Sequence, residues 1–230
     1  MSRKLRLATM DYTKEFIRWS LWYIPIFALV YIVLNVFLRE PELNEMSFFS
    51  MALSANRIYM LVLGILAVYT FLEWSVNLGL TRKIFFHAMT TAGILTTLFI
   101  TAATAAVSFL LGFMPWFGTG IPEVSGGVET LVYVGGYLLS TLLYFLGGFL
   151  ISAGFYRGFV PGMTMVLLNI VIMMGTDIIW PRESGTIGLE ALSFDTSTGV
   201  AMMVLITIVC LALIYAILRY MIRDIAVKIK

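Results

Sequence analysis

Asn77–Phe113 reads NLGLTRKIFFHAMTTAGILTTLFITAATAAVSFLLGF, and its two parts ask for different surroundings. From Thr91 to Phe113 run 23 residues without a charged side chain. A helix rises 1.5 Å per residue, so about 20 apolar residues cross the roughly 30 Å hydrocarbon core of a bilayer. This run is long enough to do so. Ahead of it stand a basic pair, Arg82 and Lys83, and an aromatic pair, Phe85 and Phe86.

Working outward, the same test finds spans at about 19–38, 57–76, 91–113, 131–153, 159–180 and 199–221. Hydrophobic residues make up 60% of the 230, charged residues 12%, and mean hydropathy is +0.96. A soluble domain carries about 25% charge, so the composition independently excludes that class. Small residues recur every fourth position: Thr97, Thr101 and Ala105; Thr104, Ser108 and Gly112; Gly136 and Ser140; Gly148 and Ser152. That spacing lets helix backbones approach closely, which points to a packed bundle. Continuous runs without period-two alternation exclude a β-barrel. The predicted fold is an all-α integral membrane protein with six transmembrane helices in a single domain, 1–230.

Charge sets the expected orientation. With the N-terminus inside, Arg3, Lys4, Arg6, Lys14, Arg18, Arg82, Lys83, Arg157, Arg219, Arg223, Lys228 and Lys230 are cytoplasmic. Only Arg39, Arg57 and Arg182 fall outside, a ratio of 12 to 3, as the positive-inside rule requires. Acidic residues such as Glu40, Glu42, Glu45, Glu123 and Glu183 gather outside, which is consistent but weaker evidence. Both termini are then cytoplasmic, and Asn77–His87 is a cytoplasmic loop. The net charge of +2 is accounted for by this bias and gives no indication of nucleic acid. The first span is too long for a signal sequence and lacks a small-residue cleavage site, so it is expected to stay.

Three segments are irregular. Residues 1–18 mix Arg3, Lys4, Arg6, Lys14 and Arg18 with Leu5, Leu7, Met10, Phe16 and Ile17. They suit either an interfacial helix preceding the first span or a solvated basic tail. The first outer loop, 39–56, holds an apolar cluster, Met46, Phe48, Phe49, Met51 and Leu53, expected to lie on the surface. Ile178–Gly199 is too polar to span and too apolar for a solvated loop, so a re-entrant hairpin and an amphipathic surface loop both remain open.

The spans are expected to be almost free of full charges, with Glu73 near the inner end of the second and Asp177 near the outer end of the fifth. Enzyme signatures are missing. His87 is the only histidine, Cys210 the only cysteine, and no Gly precedes a Lys, so neither a His-based site nor an ATP-phosphate loop is available. No cofactor is expected in this chain, and any energy must come from a partner. Within Asn77–His87, a short cytoplasmic helix with Phe85 and Phe86 on one side could plug a groove on a soluble protein, steered by Arg82 and Lys83. The plain alternative is that the cations only obey topology while the two Phe residues begin the third span.

Gly79-Leu80-Thr81-Arg82-Lys83-Ile84-Phe85-Phe86 resembles the recurrent G-[VL]-[ST]-R-K-x-F-[FY] segment of type 2, exporter-class permease subunits of ATP-binding-cassette (ABC) transporters. The layout is similar too, as is the basic ending Leu218–Arg223. The resemblance implies a half-permease exporting a hydrophobic or amphipathic substrate such as a peptide, lipid-like molecule or antibiotic. It implies an N-terminal elbow helix at 1–18, a coupling helix after the second span, and re-entrant outer helices at 178–199. It implies separate cytosolic ATPase subunits that bind ATP and Mg, a second permease half, and a bacterial cell membrane. Thr81, Arg82, Lys83, Phe85 and Phe86 would then contact the ATPase, with Glu73 restraining the coupling helix through a nearby cation. Two other classes stay open: the substrate-binding membrane subunit of a vitamin importer, and a non-transporting sensor or assembly protein.

Overall fold

A computed structural model of the chain describes residues 3–37, 48–113, 127–179 and 196–223, with side chains at 3–37, 48–113, 133–176 and 202–223. Every apolar run becomes a helix: α1 (Arg3–Phe37), α2 (Phe48–Asn77), α3 (Arg82–Leu111), α4 (Gly127–Arg157), α5 (Phe159–Ile179) and α6 (Thr196–Arg223). All six are long and apolar enough to cross a membrane, and the described residues contain no strand. The segment 180–195, which carries most of the expected re-entrant hairpin, lies outside the described residues, as do Arg39, Arg182, Lys228 and Lys230.

Two boundaries differ from expectation. No separate elbow helix is seen among the described residues of 1–18, because α1 runs unbroken for 35 residues from Arg3. Ala8, Tyr12, Phe16, Ser20 and Ile24 repeat every fourth position and are all buried. This one stripe crosses the predicted boundary near residue 18, so the packing that holds the span also holds the helix below it. Of the apolar cluster expected in the first outer loop, Met46 lies outside the described residues, and Phe48, Phe49, Met51 and Leu53 belong to α2, not to a surface segment. Phe48 and Phe49 open α2 and are buried, Phe48 edge-on to Tyr31 at 5.2 Å and Phe49 against Tyr137 at 4.6 Å.

The core is organised by α4, which packs against α2, α3, α5 and α6. Its approach to α2 is made by glycine. A Cβ on Gly148 would overlap the Leu61 carbonyl oxygen, and one on Gly64 would overlap the Phe145 carbonyl. The two helices run parallel with a steady offset: Ser50 meets Tyr133, Asn56 meets Tyr137 and Arg57 meets Ser140. At the α4–α5 corner a Cβ on Gly154 would stand 3.0 Å from the Gly162 Cα, and Pro161 occupies the first turn of α5, where its missing N–H costs nothing.

The bundle interior is more polar than expected. Asn56 donates to Thr104 at 2.9 Å and to Tyr137 at 2.5 Å, while Tyr23 donates to its carbonyl oxygen at 2.9 Å. Arg57, expected at the outer end of the second span, lies well inside α2 and is buried. Its Nε donates to Ser140 at 3.2 Å, and its guanidinium sits 5.7 Å from the Tyr144 ring centroid, a cation–π distance.

Replacing Gly148 with Val should lower stability by about 1–3 kcal/mol or more through overpacking. Gly175, around which a Cβ would meet nothing within 4 Å, is the control. Thermal unfolding in detergent should show a clear loss for Gly148→Val and little for Gly175→Val. Equal melting of both variants would refute the glycine contact.

Candidate functional site at the basic end of the bundle

The turn between α2 and α3 is built from two local signals. Gly79 has a positive φ of 72°, which suits a residue without Cβ just past a helix end. Its N–H donates to the Val76 carbonyl at 2.9 Å and the Leu80 N–H to the Ser75 carbonyl at 3.0 Å, the two bonds of a Schellman motif. Thr81 then starts α3 as its N-cap, its Oγ1 accepting from the Ile84 N–H at 3.3 Å. No separate coupling helix exists here. Residues 78–81 form the turn, and Arg82–His87 belong to the first turns of a 30-residue helix.

That geometry reassigns the aromatic pair. Phe85 is 0% and Phe86 2% exposed, so neither can be presented to a soluble partner. Phe85 lies edge-on to Tyr12 of α1 at 6.1 Å and to Phe149 of α4 at 6.0 Å. Phe86 packs on Tyr215 of α6 at 4.9 Å. The exposed apolar residue of the turn is Leu78, at 58%, a position the motif did not single out. Thr81 and Lys83 are exposed and Arg82 half-buried. Glu73 forms no ion pair among the described residues, where Glu15–Arg18 of α1 is the pair seen.

Charge converges on the turn from a distant part of the sequence. Arg82 donates to the Arg223 carbonyl at 3.3 Å, and Arg157, ending α4, donates to the Met221 carbonyl at 2.6 Å. Two arginines thus hold carbonyls at the C-terminal end of α6, where the helix dipole is negative. Between α3 and α6 lies a half-open cavity of about 530 Å³, lined by Thr81, Arg82, Lys83, His87, Arg219 and Arg223 over a floor of Phe86 and Ile222. Sequence reasoning had Arg82 and Lys83 in one group and Arg219 and Arg223 in another. The fold makes them one site.

Phe85→Ala should destabilise the protein by about 3–5 kcal/mol, the range for a fully buried Phe. Leu78→Ala should stay within about 0.5 kcal/mol, as an exposed surface change does. Thermal unfolding of both variants in detergent measures this difference. A Phe85→Ala protein as stable as wild type would return that ring to the surface.

No family model, no curated protein and no solved structure matches the chain, so function rests on the geometry of this basic end.

Proposed function

We propose that the chain is the membrane-spanning half-permease of an ABC transporter, exporting a hydrophobic or amphipathic substrate from a bacterial cell under the power of a separate ATPase subunit. The observation that carries the reading is the rigid turn 78–81, which offers Leu78 and Lys83 to solvent at the tip of two 30-residue helices. An apolar side chain flanked by cations suits a soluble partner with a small groove and an acidic rim: the apolar contact supplies affinity, the charges steering and orientation.

The buried residues give such a contact mechanical reach. Residues 78–81 are tied to both flanking helices by backbone hydrogen bonds, so a push on Leu78 moves the ends of α2 and α3 together. Phe85 passes the displacement to α1 and α4, and Phe86 passes it to α6. ATP-driven closure of two partner subunits would in this way tilt two permease halves against each other and open the space between them alternately to either face. Compared with the reading from sequence, docking moves from Phe85 and Phe86 to Leu78, Arg82 and Lys83, and the aromatic pair becomes the transmission.

Purification of the tagged chain from its own host's membranes tests the proposal. A cytosolic ATPase should come with it, and its hydrolysis should depend on the chain. The double variant Leu78→Ala, Lys83→Ala should cut that stimulation about tenfold or more, the effect of removing interface contacts worth over about 1 kcal/mol each, with melting unchanged. A chain that carries no ATPase, or that captures a small ligand tightly by itself, rejects the half-permease.

A further inference from the structure

The cavity between the start of α3 and the end of α6 shares Arg82 and Lys83 with the proposed docking surface and adds His87, Arg219 and Arg223, which docking does not use. Among the described residues its lining carries four Lys or Arg side chains, one imidazole and no carboxylate. A second cavity of about 560 Å³, between α1 and α2, is lined by Asp11 and Glu15 as well as Lys14 and concentrates no single sign. Like charges drawn together from two helices repel one another unless an anion lies between them. The opening turn of α3 adds the positive end of a helix dipole to the same space, and guanidinium groups match phosphate oxygens in a fork.

We propose that this cavity binds the phosphate of an anionic phospholipid. The surfaces leading away from it favour a lipid over a free anion. On α3, the His87 face continues through Thr91 to Ile94 and Leu98, both exposed apolar residues. On α6, the Arg219 face continues through Ala216 and Ala212 to Ile208 and Leu205, again exposed. The cations therefore cap two apolar stripes that descend along spanning helices. This matches a headgroup with its acyl chains below, and basic pockets between spanning helices recognise anionic lipid in this way. The volume lies within the roughly 300–1,000 Å³ usual for small-ligand sites. The phosphate would bridge α3 to α6 and fix the spacing between them. The inference stands apart from the transport reading, since lipid binding is measured on the full chain with no ATPase present.

The protein in detergent micelles, delipidated and titrated with phosphatidylglycerol or phosphatidylcholine, provides the test by native mass spectrometry. Phosphatidylglycerol should be retained in preference to phosphatidylcholine. The double variant Arg219→Gln, Arg223→Gln should weaken that retention by about tenfold or more, the scale of a lost charge-assisted hydrogen bond. Removing as many charges at Arg3→Gln, Lys4→Gln should leave it within about twofold. Equal losses from both double variants would mean diffuse attraction and overturn the site.

A measurement on the unaltered protein covers the case in which the variants misfold. His87 is the only histidine, so its labelled imidazole gives one assignable NMR signal. That signal should shift on adding phosphatidylglycerol and stay fixed with phosphatidylcholine, inorganic phosphate or ATP at equal concentration. An equal response to inorganic phosphate or ATP replaces the lipid by a soluble anion and overturns the assignment, as does no response at all. A response to an acidic peptide alone gives the cavity to a protein partner and overturns it too.

Discussion

The backbone contact between α2 and α4 at Gly64 and Gly148 is the constraint on which the other contacts depend. In a bilayer the surrounding tails are as apolar as the helix surfaces, so burial from water does not drive one spanning helix onto another. Close packing has to supply the attraction, and it is strongest where no side chain separates the backbones. Once Gly148 lies against Leu61 and Gly64 against Phe145, the register of the parallel pair is set over its whole length. It brings Asn56 to Tyr137 and Arg57 to Ser140 toward one end, and places Phe145 and Phe149 beside Phe16 and Phe85 toward the other. A slip of one turn along either helix would leave a buried amide and a buried guanidinium without these partners, at a desolvation cost far above that of lost packing.

The basic end inherits its geometry from this register. Phe85 is held between Tyr12 and Phe149, so the start of α3 cannot shift without disturbing α1 and α4. Arg82 and Arg157 reach across to carbonyls of α6, which places Arg219 and Arg223 opposite Lys83 and His87. The arrangement balances two tendencies: the carbonyl end of α6 attracts Arg82 and Arg157, while the remaining cations face one another around an open space. Attraction builds the site, and the like charges it draws together are what the proposed anion would offset.

Much of the bundle was legible because hydropathy is a property of single stretches. A run of 23 residues without charge reports its own environment. The first 18 residues were harder, since their apolar set of Leu5, Leu7, Met10, Phe16 and Ile17 mixes exposed Leu7 and Met10 with buried Phe16, while the informative stripe was Ala8, Tyr12 and Phe16. The four-residue repeat was visible and would have joined the basic stretch to the span. Thr81 was a similar missed signal: an N-cap there begins α3 early enough to carry Phe85 and Phe86 inward. Other features were out of reach. Gly64 is an isolated glycine among larger residues, and nothing local reveals that Gly148 faces it. The Arg82–Arg223 contact joins residues 141 apart, and Arg57 looked like a cation at the outer end of a span because its partners lie 83 positions away at Ser140 and one turn further on at Tyr144.

The polar bonds complete the division of labour begun by the glycines. Many hydroxyls in the spans, those of Thr91, Thr96, Thr97 and Thr207 among them, donate to the carbonyl four residues back. They are satisfied within their own helix by these bonds and so avoid the cost of a bare donor in an apolar medium. Bonds that cross between helices involve α2 repeatedly: Tyr12 with Ser75, Ser20 with Tyr59 and Tyr23 with Asn56 from α1, Thr104 from α3, and Tyr137, Ser140 and Tyr133 from α4. The helix joined most closely to α4 by backbone packing is thus also bonded to α1 and α3 by side chains. It ends at the exposed turn. A load applied at Leu78 enters a helix fastened to three neighbours along its length, so displacement there is spread through the bundle and cannot be absorbed by bending one hairpin.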